Sequence, residues 1–195
     1  MGEERSQIVA AITRAVAEYG YAGVTLEQVL RQADLPEDRF RAHFDSLDRG
    51  LIAAQEAFLD QVRLEIAVAC DLDRPWTANL CAALNAVLNY LSEASDLARG
   101  FTVEATASSL AASERHFTAL EALADLLRQG RRFHPRAEKM PEAVEQALIG
   151  GVASIVSSRL LSEEPRTLIQ LEPQFAEFLL LPYLGRTEAS RVARV

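Results

Sequence analysis

The segment Thr25–Leu51, TLEQVLRQADLPEDRFRAHFDSLDRGL, leaves a chain little choice of fold. Thr25 followed by Gln28 is a capping box: the Thr hydroxyl accepts the Gln28 backbone N–H and the Gln side chain reaches back. Leu26, Val29, Leu30 and Ala33 then recur on one face at helical spacing. Asp34-Leu35-Pro36 breaks the period, and Pro36 suits the first position of a new helix, where its missing N–H costs nothing. Phe40 and Phe44 set two rings on one side of that helix, with Arg39, Arg41 and His43 pointing elsewhere. Two short helices crossing over a small apolar contact, the second one polar, have the layout of a helix-turn-helix.

The rest of the chain reads as helices. A first helix is expected from about Glu4 to Tyr19, with Ile8, Ile12, Ala15, Val16 and Tyr19 as its core stripe and Gly20 ending it. Another begins near Ser46 or Leu47 and runs to about Cys70; its Leu51, Ile52, Phe58, Leu59, Val62 and Ile66 fit a helix that bridges two domains. Asp71–Pro75 is the one clear junction. Beyond it, helices are expected from Pro75, after Ser95, from about Leu110 to Gln129, from Ala143 to Leu161, and from Leu168 to Tyr183. No strand pattern occurs, so the fold class is all-α with about nine helices.

The last two helices differ from the others. Ala147, Gly150, Gly151, Ser154 and Ser158 lie along one side of the first, and such small residues let a neighbouring helix approach closely. The second carries Leu171, Phe175, Phe178, Leu179, Leu180 and Leu181 and is apolar almost all round, so it needs cover on more than one side. At this place in the chain the expected cover is a second subunit, which gives a homodimer.

Composition excludes several classes. The net charge is −8, and residues 1–50 hold nine acids against six Arg, so even the helix-turn-helix lacks an overall positive footprint. No apolar stretch approaches the ~18 residues of a membrane span, and MGEERSQ is no secretory signal. Cys70 and Cys81 read as reduced, buried or half-buried thiols of a cytoplasmic protein. His43, His116 and His134 are scattered without metal spacing, and Gly150-Gly151 lies within a helix rather than a phosphate-cradling loop. Neither an enzyme signature nor a cofactor site is expected. The segment RQGRRFHPRAEKMP, with Arg128, Arg131, Arg132, Arg136 and Lys139, reads as a solvated connection.

Residues 8–58 resemble the N-terminal domain of TetR-family transcriptional regulators. The matching pieces are Glu18-Tyr19-Gly20-Tyr21, Val24-Thr25, Ala33 and Leu35 in the turn, Phe40, His43-Phe44, and Leu51-Ile52-Ala53-Ala54, in that order. Weaker likeness continues through Pro75-Trp76, Gly150-Gly151-Val152 and Leu181-Pro182-Tyr183-Leu184-Gly185. The resemblance implies a helix-turn-helix domain over 1–46, a linking helix over 47–70, an effector-binding and dimerisation domain over 71–187, and a flexible tail over 188–195. It implies double-stranded operator DNA as partner, with Thr25 and His43 on phosphates, Glu37, Asp38 and Arg39 at base edges, and Arg31, Arg41 and Arg49 on the backbone. It also implies a small effector, expected to be apolar or aromatic, with Phe58, Trp76, Asn85, Asn89, Phe101, Thr102, Glu104 and Phe117 as candidate contacts. A dimer through the last two helices follows, with Ala147, Gly150, Gly151, Ser154, Ser158, Phe175, Phe178 and Leu179 at the interface. Leu47 stands where the family commonly has Lys, and Arg41 where it usually has an aromatic residue. A dimeric ligand-binding or protein-interaction module of the same fold, with weak or lost DNA binding, is the alternative.

Overall fold

The computed structural model describes residues 2–162 and 165–194, and among them every regular element is helical. The chain forms two compact units, Met1–Gln61 with Ala94–His116, and Val62–Glu93 with Phe117–Val195. The second unit therefore does not start once and for all at Asp71–Pro75: the chain returns to the first unit for residues 94–116.

In the first unit α1 (Gly2–Tyr19) turns Ile8, Ala11, Ile12, Ala15 and Val16 inward, the i, i+3, i+4, i+7 stripe of an amphipathic helix. Tyr19, expected at the end of this stripe, is exposed instead. The stripe meets Val29 and Ala33 of α2 (Leu26–Ala33) and Phe40 of α3 (Glu37–Arg41), all buried. Burying an Ile or Phe of this kind contributes about 1.5–3 kcal/mol to holding the three short helices together. Pro36 caps α3 rather than opening it, since its ψ of 160° is extended. α4 (Leu47–Ala69) is continuous for 23 residues and buries Leu51, Ala54 and Phe58 from its first half.

The return segment consists of α6 (Ser95–Arg99), a π-helical turn (Gly100–Glu104) and α7 (Ala105–Ser108), all preceded in the chain by α5 (Trp76–Glu93) of the second unit. Phe101 of the π turn packs at 5.5 Å from the Phe58 ring and 6.3 Å from that of Tyr21. Gln55 is buried in this core, and its Nε2 donates to the Phe101 and Ala112 carbonyls at 3.1 Å each. Glu104 accepts the Tyr21 backbone N–H at 2.7 Å, tying the turn after α1 to the return segment.

The second unit uses Leu84, Leu88 and Leu91 of α5, Ala124 and Leu127 of α8 (Leu110–Arg128), and Leu148, Val156 and Leu160 of α9 (Val144–Leu161). Phe117 and Leu126 of α8 are exposed, although helical spacing alone would place them with Leu127 on an inward stripe. The last long helix is shorter than its sequence suggests: Pro165–Leu171 is 3-10 helical, and α10 spans Glu172–Leu184. Gly185, at φ 77°, then turns the chain into α11 (Arg186–Val192), a conformation that suits glycine. The expected flexible tail is thus mostly a helix, docked by buried Ala189 and Ala193.

Cys81 is half-buried, and burial pushes its thiol pKa up; Cys70 is exposed, against expectation. Val144–Leu161 also corrects the reading of membrane-length stretches. Among the described residues it is the one helix long and apolar enough to cross a membrane, at mean hydropathy 1.2, and only 22% of it is buried.

Candidate functional site

The first unit builds its polar end from the capping box outward. Gln28 N–H donates to Thr25 Oγ1 at 3.3 Å, and Thr25 N–H donates back to Gln28 Oε1 at 2.7 Å. At the other end of α2, Asp34 takes the left-handed conformation (φ 50°, ψ 47°) that Asp tolerates better than most residues. The turn aims α3 so that Phe40 and Phe44 are buried, 5.6 Å apart, while Glu37, Asp38, Arg39 and Arg41 are exposed.

Both arginines of α3 are engaged by carboxylates. Arg41 donates from Nε and Nη2 to Glu37 Oε1 at 3.0 and 2.8 Å, and from Nη1 to the Asp45 carbonyl. Arg39 donates from Nε to Glu4 Oε1 at 2.8 Å, and its Nη2 lies 2.8 Å from the same oxygen. His43 Nε2 lies 2.8 Å from Glu4 Oε2. The next residue of α1, Arg5, places its guanidinium 5.2 Å above the Phe44 ring. Hydrogen bonds from His43 and Arg39, together with their charges, outweigh desolvation and hold the Glu4 carboxyl below its ordinary value.

Thr25, Arg31, Glu37, Asp38, Arg39, Arg41, His43 and Arg49 all fall in this unit, and only His43 is substantially covered. Sequence reading missed Glu4. An acid in the first turn of a helix is ordinary favourable charge at the dipole, and nothing local pairs it with residues thirty-five and thirty-nine positions on.

The candidate effector contacts are divided between the two units. Phe58, Phe101, Thr102 and Glu104 belong to the first unit, and Trp76, Asn85, Asn89 and Phe117 to the second. Thr102 donates to the Ala98 carbonyl at 2.6 Å, and Asn89 donates to Asn85 Oδ1 at 2.8 Å on an exposed face. Trp76 lies against Tyr183, ring centres 4.9 Å apart, and covers Gly130, where a Cβ would land in the indole ring.

That glycine belongs to a polar knot the sequence did not announce. Arg131 clasps the wholly buried Glu145 through Nε (2.7 Å) and Nη2 (2.6 Å), and Tyr183 Oη lies 3.0 Å from both Glu145 Oε1 and the Leu127 carbonyl. Burial pushes the Glu145 carboxyl up, but the bonds from Arg131, its own backbone and Tyr183, with the Arg131 charge, leave it below its ordinary value. Burial, then the bond and charge of Glu145, raise the Tyr183 hydroxyl. Arg131 is therefore internal structure rather than part of a solvated connection; Arg132, Arg136 and Lys139 are exposed.

Of the candidate interface residues, Phe175 and Leu179 are buried within the protomer, whereas Ala147, Gly150, Ser154, Ser158 and Phe178 are exposed. Gly151 lies beneath the Phe178 ring, 3.6 Å from the position a Cβ would take, and a Cβ at Gly150 would meet nothing. Among the described residues no three His, Cys, Asp or Glu gather as a metal site.

The fold is similar to that of the fatty acid degradation regulator FadR from Bacillus halodurans, at 18% identity and a TM-score of 0.78, over 96% of this chain and 98% of that one. It is similar to a TetR transcription regulator from Haloarcula marismortui ATCC 43049, at 17% identity and a TM-score of 0.76, over 92% and 97% of the two chains. It is also similar to the transcriptional regulator FadR from Bacillus subtilis in complex with stearoyl-CoA, at 17% identity and a TM-score of 0.70, over 92% and 98%. No family model and no curated protein matches the sequence. With helices throughout and these likenesses spanning nearly all of it, the chain has the all-α fold of TetR-family transcriptional regulators.

Proposed function

We propose that the chain is a cytoplasmic, DNA-binding transcriptional regulator, a ligand-responsive repressor that reads a pseudo-palindromic operator as a homodimer. The observation that carries this is α3: a five-residue helix, set by a capped α2 and a left-handed Asp34 turn, that turns its polar face outward. Arg39 would fork onto guanine O6 and N7, and Glu37 would accept from cytosine N4, with Asp38 beside them. Thr25, Arg31, Arg41, His43 and Arg49 would contact the backbone, which orients the protein without specifying sequence.

The dimer is proposed through α9 and α10. Exposed Ile155, Phe178 and Leu181 flank the small residues Ala147, Gly150, Gly151, Ser154 and Ser158. A helix this apolar and so little buried needs a covering surface, and a second copy supplies one without placing Arg159 and Gln146 in lipid. Two reading heads would then meet successive major grooves, about 34–36 Å apart. The effector is proposed as a small apolar or aromatic molecule that binds one spacing of the heads better than the other. The stearoyl-CoA held by the Bacillus subtilis neighbour favours a fatty-acyl compound. Catalysis has no proposed part.

Selection of sites from random duplex DNA, with affinity then measured at two salt concentrations, tests this. An enriched inverted repeat, bound more weakly as salt rises, is expected. Arg39→Ala should cost ~1–3 kcal/mol and relax specificity at one base position. The carboxylates on both α3 arginines favour a second reading, a dimeric ligand-binding or interaction module of the same fold with little DNA affinity. Failure to enrich any sequence, with or without fatty-acyl compounds, would decide for it.

A further inference from the structure

In the free protein the Nε/Nη2 edge of the Arg39 guanidinium is turned to Glu4. Nε donates to Glu4 Oε1 at 2.8 Å and Nη2 lies 2.8 Å from the same oxygen, so Glu4 covers this edge and offsets the charge that a guanine edge or a phosphate would meet, while the N–H groups of Nη1 point away from that contact. The other Glu4 oxygen holds His43, whose side chain is only 8% exposed, so the carboxylate has a fixed position. Arg5 over Phe44 pins the same turn of α1 against the segment after α3. Arg39 itself is 57% exposed, and an ion pair that open to water exchanges at small cost. A carboxylate with two oxygens facing a guanidinium and an imidazole presents the charge and the acceptors of a phosphate.

Building on the DNA-reading proposal above, we propose that Glu4 is an intramolecular phosphate mimic. It masks Arg39 and fixes His43, so that operator binding exchanges a carboxylate for DNA at the Arg39 fork. The mask lowers affinity for every duplex alike and leaves net gain only where a base edge or phosphate replaces Glu4 well. Glu4 is thus a positioning residue that acts through Arg39.

The test is a double-mutant cycle on operator affinity with wild type, Glu4→Ala, Arg39→Ala and the double variant, using the duplex selected from random DNA by wild type or by Glu4→Ala. Glu4→Ala is expected to bind about two- to fivefold tighter, the size of one exposed ion pair. That gain should vanish in the Arg39→Ala background. Glu4→Gln, which keeps an acceptor for His43, should give a smaller gain of the same sign, and the Arg39 Nε–H resonance of the free protein should shift in it. Equal gains in both Arg39 backgrounds would mean mere removal of a negative charge, and the masking role would be wrong. Unchanged or weaker binding by both Glu4 variants, with thermal midpoints unaltered, would overturn it as well. If neither wild type nor Glu4→Ala selects any duplex, the DNA-reading proposal itself fails, and the mask with it.

Discussion

Arg131 Nη2 donates to Glu145 Oε2 over 2.6 Å, and the carboxylate it reaches is shut off from solvent. A buried charge of this kind is tolerable only while its partners stay in place. Arg131→Met keeps most of the side-chain bulk but leaves Glu145 with the Tyr183 hydroxyl and, 4.0 Å away, the Arg128 guanidinium. A loss of about 3–5 kcal/mol in urea unfolding is expected. A loss under ~1 kcal/mol would show that the carboxylate can rearrange to water.

The same carboxyl gives the second unit a pH dependence of definite sign. Its pKa in the folded chain lies below the ordinary 4.5, so its stabilisation is fully present above that value. It is lost as pH falls through the folded value. Urea midpoints taken from about pH 7 down to about pH 3 should decline more steeply for wild type than for Glu145→Gln. Parallel profiles for the two proteins would contradict the assignment.

Gly130 lies under the only tryptophan of the chain, which makes its replacement easy to follow. A methyl at that position enters the space of the Trp76 ring, so Gly130→Ala should destabilise by about 1–3 kcal/mol through overpacking. Trp76 emission should shift as the ring is driven from Tyr183. Unperturbed emission and stability together would mean the indole has room to move aside.

Gly150 provides the opposite case, since a side chain there meets nothing within the protomer. Gly150→Glu should leave the helical circular dichroism intact and raise local helix propensity. If α9 is a face between copies, the charge is expected to convert a dimer to a monomer in sedimentation velocity. A dimer of undiminished strength would place the interface elsewhere.

The elements legible in the sequence are those specified within a few residues. The Thr25–Gln28 box, the Asp34 turn and the Ile8-to-Val16 stripe all rest on contacts one or two turns apart, and each is present. Residues 168–171 read as the start of an α-helix from their apolar content but are 3-10 helical, and the regular α-helix begins only with Glu172-Pro173. Phe117, Leu126 and Leu127 all fit an inward stripe by spacing alone, yet of the three only Leu127 is buried, with Ala124 beside it. The pairs Glu4–Arg39 and Arg131–Glu145 were out of reach for another reason. Each joins residues from different elements, and a lone acid or cation has no periodicity to reveal its partner. Trp76 covers Gly130 and Glu104 holds the Tyr21 backbone, structural contacts with distant residues that their place in the sequence does not reveal.

Gln55 and the π turn at Gly100–Glu104 are joined by a single amide, whose two N–H groups go to the carbonyls of Phe101 and Ala112. A π turn widens the helical ring by one residue, so chain length and side-chain chemistry are coupled at this point. Deleting one residue between 100 and 104 would restore an ordinary α-helical count, shift the carbonyl that Gln55 meets, and leave a buried donor without an acceptor. Replacing Gln55 by Leu would instead keep the extra residue and remove its support. Natural variants of this chain should therefore carry the insertion and the glutamine together or lack both, a linkage that comparing a few close orthologues would expose.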